Sequence, residues 1–331
     1  MAEGAISGKN RRQSPSNLAP MNRIALLPLL LLVACSGAPD ATDPAQGEFD
    51  ASVEKEFQQV EANAKRDREL PRILLQIDRA LAGYAAALDQ KGTPTADRRA
   101  ESLERLLTKL VRENHAELIA TANDSSVVAN QGIALSALGF AEGKEVMPVL
   151  LSGAQSSDPF LVDRAIFGLA MLMDPATPLG VIIKVVDDPK HGLEGRASDA
   201  WTLYRLQPVT FEKEKLVAFW KQVAAKPRAE VEPSVLLQAI RGLGLTREPA
   251  DAALVANHID HPTPKVREAC AVALGRMNAQ DQVPKLIDML TPVETNPNVR
   301  LAARKALQAL SGGADRGYEV EEWRKIFERG N

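Results

Sequence analysis

A stripe of small residues that returns about every 32 positions constrains this 331-residue chain more than any other feature. In Thr263-Pro-Lys-Val266-Arg267-Glu-Ala269-Cys270-Ala-Val-Ala273-Leu274-Gly275, counted from Val266 as zero, small or apolar side chains fall at +3, +4, +7 and +8, with glycine at +9. Those positions share one face of a helix. The stripe returns from Val299 (Ala302, Ala303, Ala306, Leu307), from Val235 (Gln238, Ala239, Gly242, Leu243, Gly244) and from Leu161 (Arg164, Ala165, Gly168, Leu169, Ala170). Weaker copies start at Leu193 (Arg196, Ala197, Ala200, Trp201) and near Val127, the latter ending in Ala137-Leu138-Gly139. The starts at 127, 161, 193, 235, 266 and 299 are 34, 32, 42, 31 and 33 residues apart, which is a repeat array with one insertion.

A second helix opened by proline follows each stripe, nine residues after the glycine in Gly275 to Pro284 and in Gly139 to Pro148. Glycine is expected to end the first helix and proline, whose missing N–H has no partner in a first turn, to begin the second. One such hairpin has too little core to stand alone, so neighbours must stack. Nothing in the body of the chain alternates with period two long enough to demand a sheet, and the expected class is all-α.

Thr263-Pro-Lys-Val-Arg267-Glu-Ala-Cys-Ala-Val-Ala-Leu-Gly275 and Asn296-Pro-Asn-Val-Arg300-Leu-Ala-Ala-Arg-Lys-Ala-Leu307 resemble the HEAT-repeat family, in its short bacterial form of about thirty residues. The resemblance covers residues 124–311. It implies a right-handed α-solenoid of HEAT-like helical hairpins whose second helices line a concave surface, commonly a surface for a protein or peptide partner. Residues 49–123 are expected to be helical and to form divergent repeats at most. They carry apolar residues at three- and four-residue spacings (Phe57, Val60, Ala64; Ile73, Leu74, Ile77, Leu81, Tyr84; Leu103, Leu106, Leu107, Leu110, Val111), with a break at Gly92-Thr-Pro94. Residues 312–331 place Val320, Trp323 and Phe327 on one helical face, which suits a helix capping the last repeat; a docking aromatic is the alternative.

The N-terminus reads as an address. Met21-Asn-Arg23 is followed by an apolar run from Ile24 to Ala34 and then Cys35-Ser36-Gly37, the plan of a secretory signal, so residues 1–20 read as a mis-called start or an over-long leader ahead of Met21. As a helix the run would rise about 16 Å, where a bilayer core needs about 30 Å, so a permanent span is disfavoured. Leu32-Val33-Ala34-Cys35 resembles the lipobox of bacterial lipoproteins. That resemblance implies cleavage of 1–34, a diacylglycerol thioether on Cys35 and a lipoprotein facing the periplasm. Ser36 in place of aspartate leans toward the outer membrane. An ordinary signal peptide with a chance cysteine is the alternative. Gly37 to Gly47 has no apolar period, and residues 35–48 are expected to form a flexible tether.

Composition removes several function classes. With 40 Lys and Arg against 43 Asp and Glu, a net charge of −3, the chain has no global field for nucleic acid. Two cysteines form no disulfide framework, and four histidines leave little for a conventional metal cluster. No phosphate-cradling glycine loop or nucleophile elbow is present, so no catalytic residue, metal or cofactor is expected. The candidate partner-binding residues are exposed polar positions of second helices: Lys184, Asp187, Lys285 and Asp288. An alternative reading is an enzyme or metal-dependent binder built on His258 and His261, three apart beside Asp260. His115 and His191 are expected to be solvated, Cys270 to be a small core residue, and Arg267 and Arg300 to make structural contacts. The aromatics Trp201, Tyr204, Phe211, Phe219 and Trp220 gather at the insertion, as local core or as a second recognition surface.

Overall fold

A computed structural model describes residues 44–90 and 92–329. The chain divides into two units, residues 1–59 and 60–331. In the first, residues 44–59 are described and are helical; the expected signal segment and Cys35 lie outside the described residues. Helix α1 (Pro44–Asp89) starts inside the expected tether, so residues 44–48 are a helical turn and not coil. Pro44 is compatible with that, because a first-turn residue needs no intrahelical N–H bond.

In the second unit, among the described residues, every regular element is a helix. After α1 come α2 (Pro94–Glu113), α3 (His115–Ala122), α4 (Val128–Leu138), α5 (Met147–Gly153), α6 (Pro159–Leu172), α7 (Leu179–Asp187) and α8 (Leu193–Leu206). Then follow α9 (Lys213–Ala225), α10 (Pro233–Thr246), α11 (Ala252–Ala256), α12 (Pro264–Arg276), α13 (Val283–Asp288), α14 (Pro297–Leu310) and α15 (Val320–Arg329). Among them no helix is long and apolar enough to cross a membrane. The six stripes are α4, α6, α8, α10, α12 and α14, and each packs on the next to form the spine of the array. The shorter partners α5, α7, α9, α11 and α13 each follow a stripe helix, and α15 packs on α13. Residues 124–311 are therefore an all-α solenoid of helical hairpins.

Local signals explain the starts. Thr93 caps α2 by accepting the Ala96 N–H, Asp158 caps α6 at Phe160, and Asn296 caps α14 at Asn298 and Val299. Each is followed by proline at the first helical position, the pairing that satisfies one orphan donor and removes another. The expected core of the N-terminal region is buried in large part: Leu74, Ile77, Leu81, Tyr84, Leu107, Leu110 and Val111 are all under 9% exposed. Tyr84 meets Phe140 edge-on at 5.3 Å, which joins this region to the end of α4. Phe57, Val60 and Ala64 have side chains outside the described residues.

Of the stripe glycines Gly139 ends its helix, as the C-cap of α4, and the others do not. Gly168, Gly244 and Gly275 lie inside α6, α10 and α12, and Gly139 has ordinary right-handed backbone. The left-handed positions that follow α6, α10 and α12 are taken by Met173, Arg247 and Asn278. The glycines instead let spine helices touch. A Cβ on Gly139 would lie 2.7 Å from Gly168 Cα, and one on Gly275 would lie 2.9 Å from Ala306 Cα. No real Cβ tolerates such a separation from backbone, so the +9 glycine is a packing residue.

The insertion is mostly a longer second helix. α9 has 13 residues where α7 has 9, and it buries Phe219 and Trp220. The Trp220 indole N–H donates to Gln207 Oε1 at 3.0 Å, and Gln207 Nε2 donates to the Gly242 carbonyl at 2.8 Å, a buried polar chain from α9 to α10. Phe211 is 76% exposed, so the aromatic group divides between core and surface. At the chain's end Trp323 is fully buried and donates to the Gly317 carbonyl at 3.0 Å, as a capping helix requires.

Candidate functional site

The four candidate partner-binding residues are exposed but do not converge on one groove. Lys184 and Asp187 belong to α7, Lys285 and Asp288 to α13. Lys184 lines a groove of about 570 Å³ between α5, α6 and α7, together with Ser156, Val181, Asp188, Lys190 and His191. Asp187 turns from it to pair with Lys226 at 2.8 Å. Asp288 lines a different groove of about 520 Å³ between α13 and α15, with Pro284, Ile287, Arg324 and Phe327. Lys285 is exposed outside that lining.

The α5–α7 groove has a feature that spacing in the sequence does not announce. Asp188 Oδ1 accepts the Lys190 N–H at 2.8 Å and the Asp188 carbonyl accepts the His191 N–H at 3.1 Å. That turn folds His191 back against α6 and α8, and its imidazole is only 8% exposed, contrary to the expected solvated histidine. His191 Nε2–H donates to Asp163 Oδ1 at 2.7 Å and lies 3.5 Å from Asp199 Oδ2. Asp163 comes from α6 and Asp199 from α8.

Asp199 is fully buried, and neither carboxylate oxygen has a hydrogen-bond partner. Burial pushes its pKa up to about 8, with the Asp163 charge adding to the effect. Gly195, one turn before Asp199 on α8, makes the cluster possible: a Cβ there would lie 2.5 Å from His191 Nε2 and 2.7 Å from Asp163 Oδ1. Asp163 is 39% exposed, so the cluster opens to solvent on one side. The atoms Asp163 Oδ, His191 Nε2 and Asp199 Oδ lie within 4.8 Å of one another.

The weak stripe copy is explained here. α8 buries Asp199, Ala200 and Leu203, so its stripe counts from Arg196, three residues later than the Leu193 start read from the sequence; Leu193 itself is exposed. An aspartate occupies the +3 slot that holds alanine in α12 and α14. Arg196, at the start of that register, is half-buried; its Nε donates to the Val186 carbonyl at 2.8 Å and ties α8 to α7.

His258 and His261 are both buried, and each already serves the backbone. His258 Nε2 donates to the Ala224 carbonyl at 2.8 Å, while His261 Nδ1 accepts the Thr263 N–H at 3.1 Å. Burial lowers the His261 pKa, and the nearby Arg228 charge lowers it further. The remaining His258 Nδ1 has no hydrogen-bond partner. Among the described residues, the three-ligand grouping is the one at Asp163, His191 and Asp199. His115 is half-buried with Nε2 3.3 Å from Glu145. Cys270 is fully buried, and burial pushes its thiol pKa far up.

Arg267 makes the expected structural contact. Its guanidinium grips Glu294 through two bonds of 2.6 and 2.9 Å and donates to the carbonyls of His261 and Pro262. This pair lowers the Glu294 pKa and raises that of Arg267. Arg300, its counterpart in the next stripe, instead stacks on Tyr318 with its guanidinium carbon 4.8 Å from the ring centre.

Residues 226–308 match the family model for HEAT repeats. The match covers α10 to α14 apart from the last residues, which is where the stripe is most regular. Repeats of this kind generally serve protein–protein interaction, and stacked helix pairs offer an extended surface for it. No curated protein matches the chain. Among solved structures, the crystal structure of an engineered protein from a structural genomics consortium is 14% identical, covering 75% of this chain and 71% of its own, with a TM-score of 0.45.

Proposed function

We propose that this protein is a non-catalytic HEAT-repeat scaffold of the bacterial cell envelope, anchored by lipid on Cys35, facing the periplasm and held at the outer membrane. It binds a protein or peptide along its second helices. The observation that carries the reading is the pair of solvent-open grooves on the second-helix side, one holding Lys184 and Lys190, the other Asp288 and Arg324. Their lining mixes charge with apolar side chains, as a protein-binding surface requires. The lipobox-like Leu32-Val-Ala-Cys35 supports the anchor.

The test is intact mass and crosslinking of the full chain from its native envelope beside Cys35→Ser and Lys184→Glu forms. The expected result is a diacylglycerol adduct on the parent that Cys35→Ser lacks, and a crosslinked protein whose yield falls in Lys184→Glu. An unmodified Cys35 overturns the anchor. A crosslinking pattern indifferent to Lys184→Glu and to Asp288→Lys overturns the second-helix surface.

A further inference from the structure

We propose that Asp163, His191 and Asp199 form a binding site for one divalent transition-metal ion, of the zinc, manganese or cobalt type, at the inner edge of the α5–α7 groove. Two carboxylates and an imidazole are the ligand chemistry such borderline cations take. The three donors come from three elements that meet only in the folded array: α6, the turn after α7, and α8.

Two observations independent of the acidic character point to a ligand. Asp199 is a fully buried carboxylate, aimed at the cluster, with neither oxygen hydrogen-bonded. A buried carboxylate without partners is costly, and structures keep such a group where it has a counter-ion or a task. Second, the space is kept open by Gly195, where any side chain would run into His191 Nε2 and Asp163 Oδ1. Glycine is a poor helix former, so its place in the first turn of α8 is explained by what its absent Cβ leaves room for.

The geometry needs little change. A four-coordinate zinc with donors at about 2.0–2.1 Å holds its ligand atoms about 3.3 Å apart. His191 Nε2 and Asp199 Oδ2 are 3.5 Å apart already, while the 2.7 Å bond from Nε2 to Asp163 must open by roughly half an ångström. On binding, the proton on Nε2 is released to solvent or carried on Nδ1, the carboxyl proton that burial favours on Asp199 leaves to solvent, and the freed nitrogen and carboxylate lone pairs go to the metal. The exposed side of Asp163 is the path of entry, and water completes the coordination. The bound ion joins α6 to α8 at the repeat interface where the spine has a polar slot.

The test is calorimetric titration of the chelator-stripped full chain with zinc and manganese ions, alongside visible absorption on adding cobalt. One ion per chain is expected to bind, raising the melting temperature. Affinity is expected to fall by about tenfold or more in Asp199→Asn and in His191→Gln, and to stay unchanged in His258→Gln. Asp199→Asn keeps the size and shape of the side chain, so it stays folded; Asp163→Asn, half-exposed, repeats the test should His191→Gln unfold. No saturable binding of either ion up to about 1 mM, parental affinity retained in both Asp199→Asn and Asp163→Asn, or loss of binding in His258→Gln overturns the site.

Discussion

The spine contacts of α12 with α14 and of α6 with α8 occupy equivalent places in the array and are built from different chemistry. In the first, α12 buries Ala269, Cys270 and Ala273, α14 buries Ala302, Ala303 and Ala306, and Gly275 approaches the backbone of Ala306. In the second, the corresponding α8 slots hold Asp199, Ala200 and Leu203, and the open glycine, Gly195, fronts two polar side chains in place of backbone. A small-residue stripe is enough to stack helices, so a departure from it at one interface points to something besides stacking. The departure gathers two acids and a histidine at a solvent-open groove, while the regular interface places its charged pair, Arg267 and Glu294, at the repeat edge.

The sharpest break is steric. Gly275→Val puts a branched side chain into the Ala306 backbone and is expected to cost about 3 kcal/mol, read from the urea midpoint. Gly195→Ala meets only side-chain atoms of His191 and Asp163, which can swing aside, so its stability cost is expected to be well under half of that. Its effect falls instead on metal affinity. Equal costs at the two glycines would mean that both interfaces are plain packing.

Exchanging acid for amide separates the two interfaces by sign. Glu294→Gln leaves the Arg267 guanidinium without its bidentate partner and is expected to cost about 2 kcal/mol at pH 7. Because the pair lowers the Glu294 pKa in the folded state, its stabilisation is present above the ordinary glutamate range near pH 4.5 and is lost as pH falls below it. Denaturation at pH 7 and pH 3 is expected to show parent and variant converging at the acid end. Asp199→Asn is expected to do the opposite in metal-free protein, gaining about 1 kcal/mol at pH 7.5, because it removes a carboxyl whose ionisation burial opposes. With its folded pKa raised to about 8, Asp199 weighs on stability increasingly from about pH 4 up to that value, so the gain shrinks toward pH 4. A loss in place of a gain would show that Asp199 is held by a counter-charge in the metal-free chain.

The array was legible because stacking imposes one face and one period: all six stripe helices start within two residues of the positions read from Val127, Leu161, Leu193, Val235, Val266 and Val299. The stripe glycines carry a role the sequence does not show: Gly139 does cap α4, as glycine at a helix end commonly does, but only three-dimensional neighbours show that Gly139 and Gly275 accommodate the next helix. The polar cluster was not legible at all. Its ligands are 28 and 8 positions apart on separate elements, and His191 stands in Asp-Asp-Pro-Lys-His-Gly, a context that reads as solvated loop. One signal was available: the weak copy at α8 carries an acid, Asp199, directly before its stripe residue Ala200. The pair His258 and His261 was visible for the opposite reason, being close in sequence, and the fold gives each imidazole a backbone partner.

The smallest expected effect distinguishes stability from recognition on the second-helix side. Asp187 and Lys226 pair at 2.8 Å with a third to a half of each side chain exposed, so Asp187→Asn is expected to change stability by less than about 0.5 kcal/mol. Lys184, three residues earlier on the same helix, faces the groove, and Lys184→Glu is expected to be equally mild for folding. The two variants should therefore melt alike and differ only in partner crosslinking, with Lys184→Glu losing it and Asp187→Asn keeping it. Loss in both would extend the recognition surface past the groove onto the α7–α9 edge, and loss in neither would move recognition to the α13–α15 groove, where Asp288→Lys becomes the decisive change.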